Sequence, residues 1–238
     1  MTATRRVLCL CGSLRRVSSN RAALEAARAL AGLDARSLLG ASLLHDTPSP
    51  HNTPSPQRKL GSSAFGGTEP KALDSCFRRN DGWVMLDLQL YDGMAALPLF
   101  NPDDEADPLP APVQALREAV GQADALLVAC PEYAHGVPGA FKNLLDWLVG
   151  SLEFPGKPVL LLNASARGSY HAQEALAEIL RTMSAKLLSA RPCPVALPGA
   201  GCTAEQVLAH AERRAELQVA LDVLVVALAA PDPSADTR

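Results

Sequence analysis

Ala125-Leu126-Leu127-Val128-Ala129-Cys130 is apolar at every position and runs directly into Pro131-Glu132-Tyr133-Ala134-His135-Gly136-Val137-Pro138-Gly139. A strand without a polar face has to be covered on both sides, as in a parallel sheet sandwiched between helices. Two prolines and two glycines then delay regular structure until about Gly139. From Ala140 a helical period begins, with Phe141, Leu144, Leu145 and Leu148 on one side. Strand, stiff loop and helix in this order form the unit that places ligand-binding groups at the carboxyl end of a parallel strand. Tyr133 and His135 put polar-tipped aromatic rings on that loop, and the prolines restrict it at low entropic cost.

The same unit recurs. Arg6-Val7-Leu8-Cys9-Leu10-Cys11 reads as a buried first strand, followed by Gly12-Ser13-Leu14-Arg15-Arg16-Val17-Ser18-Ser19-Asn20 and a helix over Arg21 to Ala31. Ser18, Ser19 or Asn20 can cap that helix. A hydroxyl-rich loop at a helix N-terminus suits an anion, and Arg15 could pair bidentately with a phosphate. It is neither a Walker A loop nor a G-x-G-x-x-G turn, so by itself it reads equally as an ordinary capping loop. Val159-Leu160-Leu161-Leu162-Asn163 is another buried run, followed by the small-residue loop Ala164 to Tyr170 and a helix over His171 to Ala185. Ser165 does not sit in a G-x-S-x-G elbow. Trp83 to Tyr91 alternates like a strand with one better-buried face, and Val113 to Ala123 is an amphipathic helix. Lys186-Leu187-Leu188 and Pro194-Val195-Ala196-Leu197 frame a fifth, weaker strand. Thr203 caps a final helix reaching Ala230, and the tail from Pro231 is expected to fray.

Composition narrows the function. A net charge of −3 gives no electrostatic case for nucleic acid or an anionic membrane surface. The apolar run after Arg5 and Arg6 ends at Cys11, too short for a secretory core, and no run approaches a membrane span, so a cytoplasmic protein is expected. The six cysteines are scattered, with Cys9, Cys130 and Cys193 in or beside apolar runs; they read as reduced thiols rather than metal ligands. The carboxylates Asp103, Asp104, Glu105 and Asp107 resemble a metal site only by number and, flanked by prolines, read as solvated surface.

Residues 41 to 82 interrupt this order. They contain Thr47-Pro48-Ser49-Pro50, repeated as Thr53-Pro54-Ser55-Pro56, then Gly61, Gly66 and Gly67, with no sustained period. The reading is a disordered insertion without catalytic duty in a single domain; a functional lid or docking arm is the rival.

With the insertion set aside, the chain alternates β-α five times. The expected fold is α/β: a doubly wound, five-stranded parallel sheet of order 2-1-3-4-5 with helices on both faces. The loops after the first and third strands then meet at the topological switch, and the loop Asn163 to Tyr170 lies beside them. Phosphate at the first loop and a flat ring against the others fit a mononucleotide.

Gly12-Ser13-Leu14-Arg15 with Ser18 and Asn20-Arg21, together with Pro131-Glu132-Tyr133, Pro138-Gly139, Lys142-Asn143 and Asp146-Trp147, resembles the NADPH-dependent FMN reductase family. The likeness covers about residues 5 to 35 and 84 to 200. It implies a flavodoxin-like fold and an FMN-containing oxidoreductase. Hydride would pass from NADPH or NADH to FMN, and electrons then to a quinone, azo compound, oxidised metal or free flavin. By the same likeness Ser13, Arg15, Ser18 and Asn20 would bind the FMN phosphate. Pro131, Glu132, Tyr133, Ala134, His135 and Gly136 would border the flavin ring, with Ser165 and Gly168 at its other edge. No catalytic side chain is assigned; Tyr133 and His135 would shape the nicotinamide or acceptor site. Many members carry Asn where this chain has Ala134. A homodimer or homotetramer is implied. The alternative is a flavin-binding electron carrier or redox sensor without turnover.

Overall fold

The computed structural model describes residues 3–43, 78–79, 82–106, 108–166, 168–197, 199 and 201–229. In chain order the elements are β1 (Ala3–Cys11), α1 (Ser19–Leu43), β2 (Arg78–Arg79), β3 (Gly82–Leu90), α2 (Ala111–Gln122), β4 (Ala125–Ala129) and α3 (Gly139–Val149). Then come β5 (Pro158–Ala164), α4 (Tyr170–Thr182), β6 (Lys186–Leu187), β7 (Cys193–Val195), α5 (Ala204–Leu208) and α6 (Ala211–Ala229). Two short 3-10 turns, Gly93–Ala96 and Pro102–Asp104, punctuate the connection from β3 to α2.

The sheet runs β2-β3-β1-β4-β5-β6, with β7 also paired to β5. All pairings are parallel except the two-residue β2, which turns back antiparallel on β3. This is the expected doubly wound order, with the switch between β1 and β4. Each strand divides its side chains between two cores, as a period of two requires. Val7, Cys9, Leu127, Leu160 and Leu162 face the layer of α1, α5 and α6. Leu8, Leu10, Leu126, Val128, Val159 and Leu161 face α2, α3 and α4. Trp147 and Phe141 of α3 are fully buried against the second face, each contributing about 1.5–3 kcal/mol through apolar burial.

Several boundaries differ from expectation. Helix α1 continues past Ala31 to Leu43, because Leu, Ala and Arg dominate residues 33–43 and outweigh Gly32 and Gly40. Of the insertion expected at 41–82, residues 41–43 close α1, while Arg78, Arg79 and Gly82 lie in strands. The rest of it lies outside the described residues, as do Asp107, Arg167 and the tail from 230. The fifth strand position is filled by two pieces: β6 pairs with Pro158 and Val159, and β7 with Leu162 to Ala164. Pro192 and Pro194 lack the N–H groups a continuous ladder needs. The last helix is also two helices. Thr203 begins α5 through a capping box with Gln206. Arg213, near the start of α6, donates to the Ala196 carbonyl at 2.8 Å and the Gln206 carbonyl at 3.4 Å, satisfying backbone acceptors at the break.

Candidate functional site

The loop after β1 approaches β4 closely. Gly12 N donates to Ala129 O at 2.8 Å. A Cβ on Gly12 would stand 2.7 Å from Cys130 Sγ and 3.0 Å from Cys130 Cα, so only glycine fits. Ser18 proves to be the cap of α1: it is buried, and its Oγ accepts from Arg21 N at 3.4 Å. The Arg21 guanidinium pairs with Glu25 and with Asp92, bracing α1 against the loop after β3.

The loop after β4 folds as a tight turn. Tyr133 and Gly136 exchange both backbone hydrogen bonds, at 3.1 and 3.0 Å. Ala134 and His135 between them have φ of 50° and 58°, two consecutive left-handed residues as in a type I′ turn. The Tyr133 hydroxyl meets Ser13 Oγ at 3.3 Å, joining this turn to the β1 loop. Glu132 reaches across to α4, whose own cap residue Ser169 makes no side-chain bond to the helix. Glu132 Oε2 accepts from Ala172 N at 3.0 Å, and Oε1 lies 3.2 Å from His135 Nδ1. The Ala172 amide, helped by the nearby histidines, holds this carboxyl below its ordinary value. The His135 ring packs edge-to-face on His171, with centroids 4.6 Å apart.

These loops enclose a cavity of about 920 Å³ at the carboxyl edge of the sheet. Ser19 and Asn20 come from the start of α1, and Pro131, Glu132 and His135 from the β4 loop. Ala164, Ser165 and Ala166 come from the end of β5, Ser169, Tyr170 and His171 from the start of α4, and Gly199 from the loop after β7. Asn20 is 6% exposed, and its Oδ1 has no hydrogen-bond partner. Of the residues expected from sequence, Asn20, Pro131, Glu132, His135 and Ser165 share this cavity. Ser13 and Tyr133 are linked to each other, Ala134 and Gly136 shape the turn, and Ser18 is spent on capping α1. Arg15 is exposed, away from the lining, its backbone N donating to Ser13 Oγ at 3.2 Å. Gly168 lines a second cavity beyond Tyr170. Sequence reasoning missed Ser19, Gly199, Tyr170 and His171. Ser19 Oγ donates to Gly199 O at 2.9 Å and accepts from Gly201 N at 3.0 Å, a contact between distant segments that no local pattern announces.

The second half of the central motif serves another purpose. Asn143 accepts from Phe100 N at 2.7 Å and donates to Pro98 O at 2.9 Å, and Trp147 Nε1 donates to the same carbonyl at 2.8 Å. Phe100 stands edge-on to Trp147 at 5.0 Å. Lys142 pairs with Asp146 one turn along α3. Arg117 donates to Trp147 O and to Glu105, which ties one of the clustered carboxylates into this network. Among the described residues, no group of three or more His, Cys, Asp or Glu side chains is placed to hold a metal ion, and no helix is long and apolar enough to cross a membrane.

Fold and cavity together define a doubly wound α/β protein with a nucleotide-sized cleft at the topological switch. The NADPH-dependent FMN reductase family model matches residues 60–193, and the chain belongs to that family. A quinone reductase of Escherichia coli (strain K12) is 36% identical over 100 residues, which is 38% of this chain and 53% of that protein. An NADPH azoreductase of Bacillus sp. (strain OY1-2) is 38% identical over 112 residues, 47% of this chain and 61% of that one. The chain thus spans about half the length of the first of these relatives. The flavoenzyme NAD(P)H:(acceptor) oxidoreductase FerB of Paracoccus denitrificans superposes with a TM-score of 0.57 at 21% identity, over 94% of this chain and 97% of that one, confirming the flavodoxin-like fold.

Proposed function

We propose that this protein is an NAD(P)H-dependent oxidoreductase that holds FMN in the cavity of about 920 Å³ and passes electrons to a small acceptor such as a quinone or azo compound. The observation that carries the reading is the unpartnered Oδ1 of the buried Asn20 beside the N-terminus of α1. A ribityl hydroxyl is the donor that this oxygen lacks, and the first amides of α1 suit the phosphate that follows it. The residues present therefore fit the cofactor, whose ring supplies the hydride chemistry when bound.

The chain's part is to bind and orient. The turn at Tyr133 to Gly136 offers its rim to the ring, and Ser165 bounds the other side. Glu132 fixes the turn to α4, so ring and nucleotide would meet preset walls. Relatives named quinone reductase and azoreductase support a small-molecule acceptor. A homo-oligomer and a cytoplasmic location belong to the same reading. The five described cysteines are free thiols, as in a reducing compartment.

The test is an absorbance spectrum after incubation with FMN and desalting, followed by anaerobic NADPH. The expected result is retained flavin bands that bleach. Bands that persist with NADPH would favour a carrier or sensor, and a protein that retains no flavin would refute the reading.

A further inference from the structure

Glu132 and His135 of the loop after β4 and His171 of α4 form a connected set on the wall of the cavity of about 920 Å³. Glu132 is engaged through both oxygens: Oε2 accepts from the Ala172 amide at 3.0 Å, and Oε1 lies 3.2 Å from His135 Nδ1. The His135 ring is packed edge-to-face on His171, with 4.6 Å between centroids. We propose that His135, oriented by Glu132, is the proton donor to the electron acceptor as that acceptor is reduced.

The proposal rests on the reductase reading above and adds the group that completes the acceptor's reduction. The Ala172 amide holds the Glu132 carboxyl below its ordinary range, so at neutral pH it is ionised and can only accept. The proton between the two residues therefore sits on His135 Nδ1, which leaves Nε2 as the nitrogen that gains and loses a proton. A carboxylate behind an imidazole fixes its tautomer and its orientation. The backbone points the same way. His135 has φ 58° at the turn position where glycine is preferred, and a bulky side chain kept in such a conformation is the kind of outlier that accompanies a functional site. Its side chain is 77% exposed, so water can return the proton after each turnover.

Reduction of a quinone to a hydroquinone takes up a hydride and a proton. The hydride originates from NAD(P)H, which is oxidised to NAD(P)+, and it carries both electrons. The proton leaves Nε2 of the His135 imidazolium for a quinone oxygen: an N–H bond breaks, an O–H bond forms, and the neutral imidazole is reprotonated from water. An azo bond is completed in the same way, with one hydrogen arriving on each nitrogen. The other titratable groups on the described lining are Glu132 on the same loop and Tyr170 and His171 from α4; α1, the end of β5 and the loop after β7 contribute only neutral side chains there. Tyr133, in the same turn, has its hydroxyl against Ser13 Oγ. His135 is thus the histidine of this lining with a carboxylate behind it.

The experiment mixes the FMN-loaded full chain, reduced anaerobically with NADPH, with duroquinone or with ferricyanide, which takes electrons without protons. With duroquinone the reoxidation rate of the parent protein should fall as pH rises between about 5 and 8, where a histidine gives up its charge; the ferricyanide rate should not follow that fall. His135→Gln should lower the ratio of the duroquinone rate to the ferricyanide rate about 10²-fold, the low end of what a positioned general acid supplies, and should remove the pH-dependent fall. Nitrogen–proton correlation spectra of the flavin-free protein give a second readout: the neutral His135 ring should carry its proton on Nδ1, and Glu132→Ala should shift it toward Nε2. An unchanged rate ratio in His135→Gln, or an Nε2–H tautomer in the parent protein, would overturn the proposal. A parent protein that retains no FMN, or whose flavin NADPH does not bleach, would defeat the reductase reading and the proposal with it, whereas a bleached parent with an unchanged ratio defeats the proposal alone.

Discussion

Ala134→Gly should stabilise this protein. Ala134 is exposed and sits at φ 50° in the turn that Tyr133 and Gly136 close. A Cβ in the left-handed region costs about 1–2 kcal/mol. Replacing alanine by glycine gives back about 0.5–1 kcal/mol through the freer unfolded chain. The net gain is roughly 0.5–1 kcal/mol, or about 1–4 °C in Tm for a chain of this length. The natural comparison is Ala175→Gly, also exposed but in the middle of α4, where glycine costs about 1 kcal/mol. Reversible urea or thermal unfolding of the two variants should therefore show shifts of opposite sign. Asparagine at 134 should fall between alanine and glycine, because its side chain tolerates this backbone region. If Ala134→Gly destabilises as much as Ala175→Gly, the left-handed turn does not exist as described, and the placement of His135 at the cavity fails with it.

Glu132→Gln should flatten the acid limb of the stability curve. A carboxylate held below its ordinary 4.5 in the fold contributes stability that is complete above pH 4.5 and is lost as pH falls through the folded value; urea midpoints between pH 3 and 7 would show it, and parallel curves for the two proteins would count against the Ala172 contact. Burial pushes the thiols of Cys9 and Cys130 up to about 12, so iodoacetamide at pH 8 should label them only after unfolding, as read by mass spectrometry; rapid labelling of the native protein would contradict their burial. Asn143→Ala leaves Phe100 N without its acceptor and should cost about 1–3 kcal/mol, with faster proteolytic cleavage between residues 97 and 110; an unchanged cleavage rate would show that Asn143 does not hold that segment.

The parallel sheet was legible because its inner strands are apolar on both faces, and runs such as Ala125 to Cys130 have few other places to go. The loops that open the cavity were legible for a related reason: glycine, proline and hydroxyl residues cluster where each such strand ends. Other features lacked a local signal. Nothing at Ala209-His210 marks the break between α5 and α6, since neither is a helix breaker; the break depends on Arg213 reaching carbonyls outside its own helix. The split fifth strand follows from proline positions, yet two short pairings with β5 are visible only once the register is known. Ser19 and Gly199 meet at the cavity through a hydrogen bond spanning 180 positions.

The central motif joins two tasks that physical reasoning separates. Pro131, Glu132 and His135 line the cavity, whereas Asn143 and Trp147 of α3 hold Pro98 and Phe100. Their shared element is α3 itself, whose Phe141, Leu144, Leu145 and Leu148 are buried in the core beneath the sheet. Because α3 follows the turn after only Val137 and Pro138, any rotation of the helix would carry the turn with it. Two side-chain bonds to Pro98 O therefore help fix the orientation of a loop that they do not touch. Glu132 supplies the matching constraint from the opposite side by tying the same loop to α4. A loop that leaves β4, enters α3 and is tied to α4 through Glu132 needs little reorganisation when a ring docks against it, and that rigidity explains how the strained residues Ala134 and His135 can be kept at its tip.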